Sequence, residues 1–165
     1  SGLLVVAKSD EVHRALKLML AERGLRREYI ALVQGHPPAR TGTVDAPIGR
    51  DRRDRVLMSI DTDDPREART HFEIERLLPR VALIRIVLDT GRTHQIRVHL
   101  QAIGHPVVGD SVYGTGKTLR GIHLQRQFLH AYQLSFKHPS TGAMLEFEAP
   151  LPPDLQAVLA EEDLL

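Results

Sequence analysis

The sequence has no cysteine and no tryptophan, and only 4% of its 165 residues are aromatic. Without cysteine, neither a disulfide framework nor a thiolate metal site can form, which is consistent with the reducing cytoplasm in which we expect the protein. Long apolar runs are also missing: the longer ones, such as residues 3–7 and 81–84, fall far short of the roughly 20 residues of a membrane-crossing helix. We therefore expect no membrane partner.

A strong excess of either charge is absent as well. Lysine and arginine total 22 against 21 acidic residues, which gives a net charge of +1. Overall charge therefore makes no case for a nucleic-acid partner, and any such site must come from local clustering. The apolar fraction of 42% suits a single compact domain that spans residues 1–165.

The spacing of apolar residues predicts an α+β fold. Helical spacing follows the capping residue Ser9 as far as Gly24, recurs from Thr93 to Gly104, and begins again after Pro152. Strand patterns occupy residues 3–7, 29–33, 68–77, 81–88, 128–136 and 144–147. Because two of the connections are short enough for hairpins, we expect a mixed, mainly antiparallel sheet flanked by helices.

Polar groups concentrate at residues 88–99, where a predicted strand ends and a predicted helix begins. A helix N-terminus offers free N–H groups and the positive end of the helix dipole. The nearby Arg92, His94 and Arg97 add to this, so the junction suits a carboxylate or a phosphate. The alternative is that Arg97 only solvates a helix face and that the histidines are surface residues.

Two other patterns carry less weight. The run 114–118 resembles a phosphate-binding loop, but Ser111 stands where that motif requires its first glycine. His94 and His99 are five residues apart and so lie on different helix faces. We therefore expect no metal site, and interpret the nine histidines as dispersed surface or RNA-facing residues.

The amino-acid sequence of this junction and of the residues that follow it forms a recognisable series of motifs. Residues 91–97 read GRTHQIR, followed by Gly-His-Pro at 104–106 and by GDSVYG at 109–114. This series resembles the signature of the RluA/RluD family of ribosomal RNA pseudouridine synthases. Further matching pieces occur in order at residues 1–8, 29–35, 68–70, 126–131, 138–139 and 149–152. The resemblance therefore covers nearly the whole chain.

The resemblance implies the catalytic fold of that family, with RNA lying across a cleft in the sheet. It implies an isomerase that breaks the glycosidic bond of uridine, turns the base and rejoins it through carbon, with one essential aspartate and no cofactor. It implies an RNA partner, with large-subunit ribosomal RNA favoured and transfer RNA left open.

Three site residues follow from the resemblance. Arg97 matches the basic residue that pairs with the catalytic aspartate, and a guanidinium suits that role because it binds a carboxylate in a bidentate manner. Tyr29 matches the tyrosine that stacks on the target base and assists in removing the proton from carbon five. Leu129 matches an apolar wall beneath that tyrosine, although strand leucines are usually core residues.

The catalytic aspartate itself is expected upstream of Ser1, because in this family it lies in an Arg-Leu-Asp segment a few residues before the pair matched by Ser1 and Gly2. We interpret Asp10, Asp89 and Asp110 as structural residues, so that nothing in the chain can act as the nucleophile or acid-base group opposite Arg97. The chain by itself is then expected to be inactive. The alternative function is a non-catalytic RNA-binding module.

RNA contacts are predicted for Arg50, Arg52 and Arg53, together with Arg92 and His94 at the helix junction. Further support for a basic surface comes from Lys8, Arg26 and Arg27. Aspartates alternate with the arginines of residues 50–55, which is equally typical of a self-paired, solvated loop. Both interpretations remain open at this point.

Overall fold

The computed structural model describes residues 1–115 and 124–162. Within them lie three helices, α1 (Asp10–Ala21), α2 (Gln95–Ala102) and α3 (Pro153–Glu162). The strands are β1 (Leu25–Gln34), β2 (Thr41–Asp45), β3 (Gly49–Arg50), β4 (Met58–Ser59), β5 (Arg69–Leu77), β6 (Val81–Leu88), β7 (Leu129–Lys137) and β8 (Met144–Glu148). Six strands form one sheet in the order β2-β5-β6-β1-β7-β8, and every neighbouring pair is antiparallel. The predicted α+β fold with a mainly antiparallel sheet is thus confirmed.

The central strand β1 is buried on both faces. It pairs with β6 on one side and with β7 on the other. Because side chains alternate along a strand, Ile30 and Leu32 join the apolar core that includes Leu155 of α3, whereas Tyr29 and Ala31 join the core that includes residues of α2. The helices therefore cover both faces, and α2 lies on the face that carries Tyr29.

Helix α1 begins as predicted. The Ser9 side chain accepts a hydrogen bond from the Val12 N–H at 3.3 Å, so it caps the first turn. The helix ends earlier than the glycine at position 24 suggested, since the left-handed residue after it is Arg23, with φ of 59°. Leu16 packs on Leu25 of β1, which places α1 beside the start of that strand.

The prediction of a buried strand at residues 3–7 was wrong. Residues 3–7 form no strand: an isolated parallel bridge joins the preceding Gly2 to Ala131, the Leu3 N–H donates to the Ala131 carbonyl at 2.9 Å, and Leu4 is 85% exposed. The cause lies in β7: from Gln133 onward its edge is hydrogen-bonded to β8, so a parallel strand continuing past Ala131 finds no free backbone groups.

Helix α2 also departs from expectation at its start. Thr93 does not cap it; the N-cap residue is His94, which has a left-handed φ of 56° and makes no capping bond with its side chain. The helix ends at Ala102, two residues before the predicted Gly104, whose φ of 82° suits glycine. Its buried residues are Gln95, Ile96, Val98, His99 and Leu100, so polar as well as apolar side chains lie on its buried face.

Candidate functional site

Two adjoining cavities lie beside α1, one against the loop that joins β6 to α2 and the other against residues 3–5 and β7. The larger, which we call the polar cleft, has a volume of about 440 Å³ and is lined by Lys17, Leu20, Ala21, Arg23, Arg27, Glu67, Asp89, Thr90, Gly91 and Arg92. The smaller, which we call the apolar recess, measures about 180 Å³ and is lined by Leu3, Leu4, Val5, Leu20, Leu25, Arg27, Tyr29, Ala131, Gln133 and Leu134. Arg27 and Leu20 line both cavities.

The structure brings Tyr29 and Leu129 together. Both pack against the same buried cluster, which includes Ile96 of α2, and they lie on neighbouring strands β1 and β7. Burial raises the pKa of the Tyr29 phenol, while the nearby charge of Arg27 opposes that shift. The phenol is therefore protonated at neutral pH, with an aromatic ring that faces an apolar space.

The Arg97 side chain is only 12% exposed and turns toward the loop after α2. Its Nε and Nη2 donate to the two carboxylate oxygens of Asp110 at 2.6 and 2.8 Å. The guanidinium also lies 4.7 Å from the centre of the Tyr113 ring. The acid that lies opposite Arg97 within the described residues is therefore Asp110, one of the aspartates interpreted from the sequence as structural.

Asp110 is held in place by more than this ion pair. One of its oxygens accepts hydrogen bonds from the Val112 and Tyr113 N–H groups, each at 2.9 Å. The bonds from Arg97 and from these amides lower the pKa of Asp110 against the opposing effect of burial. Asp110 is thus a carboxylate at neutral pH, and its contacts fit the structural role predicted for it.

Tyr113 links this pair to the start of α2. Its hydroxyl forms a hydrogen bond of 2.9 Å with Nδ1 of His94 and accepts one from the Met58 N–H at 3.0 Å. Burial lowers the pKa of His94, with a further contribution from the charge of Arg97, while Asp110 opposes the shift. His94 is therefore neutral at pH 7, and it belongs to the same cluster as Arg97 and Tyr113.

Gln95 anchors the N-terminus of α2 to the sheet. Its buried side chain accepts hydrogen bonds from the Thr90 hydroxyl and the Arg92 N–H, and donates to the Arg69 carbonyl and the Thr70 hydroxyl, at distances of 2.8–3.0 Å. All of its hydrogen-bonding groups are used, which fixes the geometry of the loop. Sequence reasoning missed this role, although Gln95 stands inside the GRTHQIR motif.

The interpretation of the histidines as surface residues was wrong for His99 and His130, which are 0% and 2% exposed. Nε2 of His99 donates to the Ala46 carbonyl, and its Nδ1 forms a hydrogen bond with the Thr70 hydroxyl, both at 2.8 Å. Nε2 of His130 donates to the Ala149 carbonyl at 2.9 Å. These partners satisfy the rings within the protein, which makes burial possible.

Three of the predicted RNA-binding residues lie near one another. Arg50 and Arg92 line a further cleft of about 310 Å³, and the Arg50 charge contributes to lowering the pKa of His94. Arg92 is positioned by a 2.8 Å bond from its Nε to the Glu67 carbonyl. A third basic residue of the cleft, Arg66, was not singled out from the sequence.

Arg52 and Arg53 lie apart from this group, in the loop between β3 and β4. Arg52 pairs with Asp61 at 3.2 Å and with Asp63 at 2.8 Å, and Asp51 accepts hydrogen bonds from the backbone of Arg53 and Asp54. This arrangement favours the self-paired loop over the RNA contact for Arg52. All of these pairs are exposed, so they stabilise the fold little.

Residues 116–118 of the glycine-rich run lie outside the part of the chain that the structure describes. Among the described residues, no three metal-ligating side chains come together. Within the same residues, no helix has the length and apolar character needed to cross a membrane.

Residues 1–102 match the family model for RNA pseudouridylate synthase. The chain therefore belongs to the RNA pseudouridine synthases. Similar members of this family include an uncharacterized RNA pseudouridine synthase from Chloroflexus aurantiacus, 51% identical over 98% of the chain and 50% of the relative. The ribosomal large subunit pseudouridine synthase D of Zymomonas mobilis is 44% identical over 94% of the chain and 51% of its own length. The chain thus spans about half the length of the curated pseudouridine synthases it matches.

A solved structure of the family agrees with the fold. The human RNA pseudouridylate synthase domain containing 1 superposes with a TM-score of 0.76 at 32% identity, over 93% of this chain and 66% of that one. The region matched by the pseudouridine synthase model includes β1 with Tyr29 and all of α2, but not Asp110 or Tyr113.

The Arg97–Asp110 pair gives the first testable prediction. Replacing Asp110 with asparagine leaves a nearly buried guanidinium without a counter-charge, and we expect the free energy of unfolding to fall by about 3 kcal/mol at pH 7. The pKa of Asp110 is lower in the folded state than in the unfolded chain. Its ionised carboxylate therefore contributes to the free energy of unfolding above the ordinary aspartate pKa of about 3.9, and this contribution is lost as pH falls through the pKa of the folded state. The stability gap between wild type and variant should therefore narrow below about pH 4, as measured by urea unfolding.

The matched control is Asp154→Asn. Asp154 receives the same two-point contact from Arg126, at 2.8 and 2.9 Å, but both side chains are substantially exposed. Because solvent screens this exposed pair, Asp154→Asn should lower the free energy of unfolding clearly less than Asp110→Asn does. Equal losses for the two variants would contradict the importance given to the buried pair.

Proposed function

We propose that the protein to which this chain belongs isomerises uridine to pseudouridine in RNA. The observation that carries the proposal is the position of Tyr29: it lies inside the region that matches the family model and lines an apolar recess beside a cleft of basic character. A flipped base needs an aromatic stacking surface in a space that excludes water, with cations nearby for the backbone.

The reaction balances without a cofactor. The bond between N1 of the base and C1′ of the sugar breaks, the base turns, a bond forms between C5 and C1′, and the proton of C5 is lost while N1 ends protonated. Tyr29 offers a ring for stacking and a hydroxyl for proton transfer. Since burial raises its pKa, the hydroxyl needs the nearby Arg27 charge to favour its ionised form. Leu129 supports the ring from the neighbouring strand.

Ribosomal RNA of the large subunit is the proposed substrate, with transfer RNA as the alternative. Two relatives, from Zymomonas mobilis and Nitrosomonas europaea, carry the name ribosomal large subunit pseudouridine synthase D, and each is 44% identical to this chain. Arg50, Arg92 and His94 are proposed to contact the RNA backbone, because Arg50 and Arg92 line one cleft beside the start of α2 and the Arg50 charge reaches His94.

The catalytic aspartate is proposed to precede Ser1. The aspartates considered inside the chain have other places in the structure. Asp110 is paired with Arg97, and Asp89 lies 3.0 Å from Nε2 of His71. Asp10 lies in the first turn of α1. Asp110 occupies Nε and Nη2 of Arg97. We propose that the remaining Nη1 of Arg97 binds the carboxylate of the catalytic aspartate.

A non-catalytic RNA-binding module is the second candidate. One observation favours it: Arg97, the proposed partner of the catalytic acid, already holds a carboxylate in a two-point contact. If no other acid approaches that guanidinium, the basic cleft can still bind RNA but has no nucleophile.

The purified 165-residue chain is expected to form no pseudouridine in a ribosomal RNA transcript, whereas the same chain extended by its encoded upstream residues is expected to form it. The reason is the missing nucleophile and acid-base group. The measurement is pseudouridine content by mass spectrometry of the digested RNA. Turnover by the 165-residue chain would contradict the proposed position of the aspartate, and inactivity of both polypeptides would favour the binding module.

Within the extended polypeptide, Tyr29→Phe should retain stacking but lose proton transfer. We expect kcat to fall by about 10²–10⁴ while the affinity for RNA changes little. The control is Tyr132→Phe on β7, where the hydroxyl donates to Glu148 at 2.7 Å and lines neither cavity. The proposed role of Tyr29 fails if both variants keep the wild-type kcat.

A further inference from the structure

Arg27 occupies an unusual position between the two cavities. It stands on β1 two residues before Tyr29, and its side chain lines both the polar cleft and the apolar recess. Since residues two apart on a strand share a face, both side chains belong to the face that α1 and α2 flank. Any nucleotide whose base enters the recess would place its sugar and phosphate close to this guanidinium.

The guanidinium lacks a counter-charge within the described residues. Arg27 forms no ion pair there, and its buried Nε has no hydrogen-bond acceptor. Other partly buried arginines differ, because Arg69, Arg85 and Arg97 each hold a carboxylate at 2.6 or 2.7 Å. An uncompensated cation is costly to bury, and burial accordingly lowers the pKa of Arg27, although an arginine stays protonated.

The acids of the polar cleft do not supply that counter-charge. Glu67 pairs with Arg23 at 3.3 Å, and Asp89 contacts His71 at 3.0 Å. The cleft lining contains four basic residues, Lys17, Arg23, Arg27 and Arg92, against these two acidic ones. The cleft therefore keeps an excess of positive charge that favours an incoming anion.

Gly91 shapes the space around the guanidinium. A Cβ atom at position 91 would lie 2.3 Å from Nη1 of Arg27, so a larger residue would force the guanidinium to shift. The loop that carries Gly91 is fixed in turn by the hydrogen bonds of Gln95 to Thr90 and Arg92. The position of Arg27 thus depends on the motif that begins α2.

We propose that Arg27 binds an oxyanion of the RNA backbone, namely the phosphate beside the uridine that stacks on Tyr29. The polar cleft is then the phosphate subsite and the apolar recess the base subsite. A guanidinium matches a phosphate in charge and in two-point geometry. This inference rests on the proposed function. The other source of an oxyanion, a carboxylate from elsewhere in a longer polypeptide, is distinguished by the experiment.

The experiment measures the affinity of the 165-residue chain for a uridine-containing RNA hairpin by fluorescence anisotropy at several salt concentrations. Loss of one phosphate contact in Arg27→Gln should reduce the slope of log K against log salt by about 0.7–0.9. It should also weaken binding about tenfold. Arg27→Lys keeps the charge and should keep most of the slope.

The control is Arg26→Gln, the next residue on the same strand. Its side chain faces the other side of the sheet, is 66% exposed and pairs with Glu28 at 2.7 Å, so its removal should leave the slope unchanged. If the hairpin binds to wild type but Arg27→Gln has the wild-type slope, the phosphate assignment is overturned while RNA binding stands. If wild type fails to bind the hairpin, the result contradicts the RNA contact of the proposed function and therefore also this inference.

Melting temperatures in inorganic phosphate and in acetate separate the two oxyanions. Phosphate should raise the melting temperature of wild type and not that of Arg27→Gln. If acetate and not phosphate raises the melting temperature of wild type, and the salt slope of Arg27→Gln equals that of wild type, the site binds a carboxylate. That result would overturn the phosphate proposal. Without ligand, Arg27→Gln should melt no lower than wild type, because it removes an unpaired charge; a marked fall would indicate a structural role instead.

Discussion

The ion pair between Arg97 and Asp110 connects the two parts of the chain on which the site depends. Arg97 belongs to α2, and Asp110 belongs to the turn that follows it. Through Tyr113 the same cluster reaches His94 at the start of the helix and the backbone of Met58 beside it. An ion pair with so little access to water is stable only when its remaining hydrogen-bonding groups are satisfied, and the amides of Val112 and Tyr113 satisfy the carboxylate.

With α2 held in this way, the loop before it can form one wall of the cleft. Gln95 ties that loop to β5 through Arg69 and Thr70, and Gly91 leaves room for Arg27. The floor of the site comes from β1, whose two faces are buried in different cores. Tyr29 and Arg27 therefore stand on a strand whose two faces are both buried, while Arg92, which is also proposed to touch RNA, stands on the loop beside it.

Much of this arrangement can be predicted from the sequence. The β5–β6 and β7–β8 hairpins follow from alternation and turn residues, and helices α1 and α2 follow from their apolar stripes. Residues 3–7 could not be placed, because their apolar run is typical of a strand, whereas the neighbouring edge of β7 is taken by β8. The partners of Arg97 and His99 could not be predicted either: both depend on contacts between segments far apart in sequence, Asp110 being 13 residues away and Ala46 being 53. Local pattern carries no information on such pairings.

The most direct test of this account is a double-mutant cycle that combines Arg97→Gln with Asp110→Asn, measured by urea unfolding at pH 7. If the two groups stabilise the site as a pair, the double variant should be more stable than the sum of the single losses predicts, with a coupling energy of about 2 kcal/mol. Losses that add to within about 0.5 kcal/mol would show that the two side chains act independently, and would contradict the central position given to this ion pair.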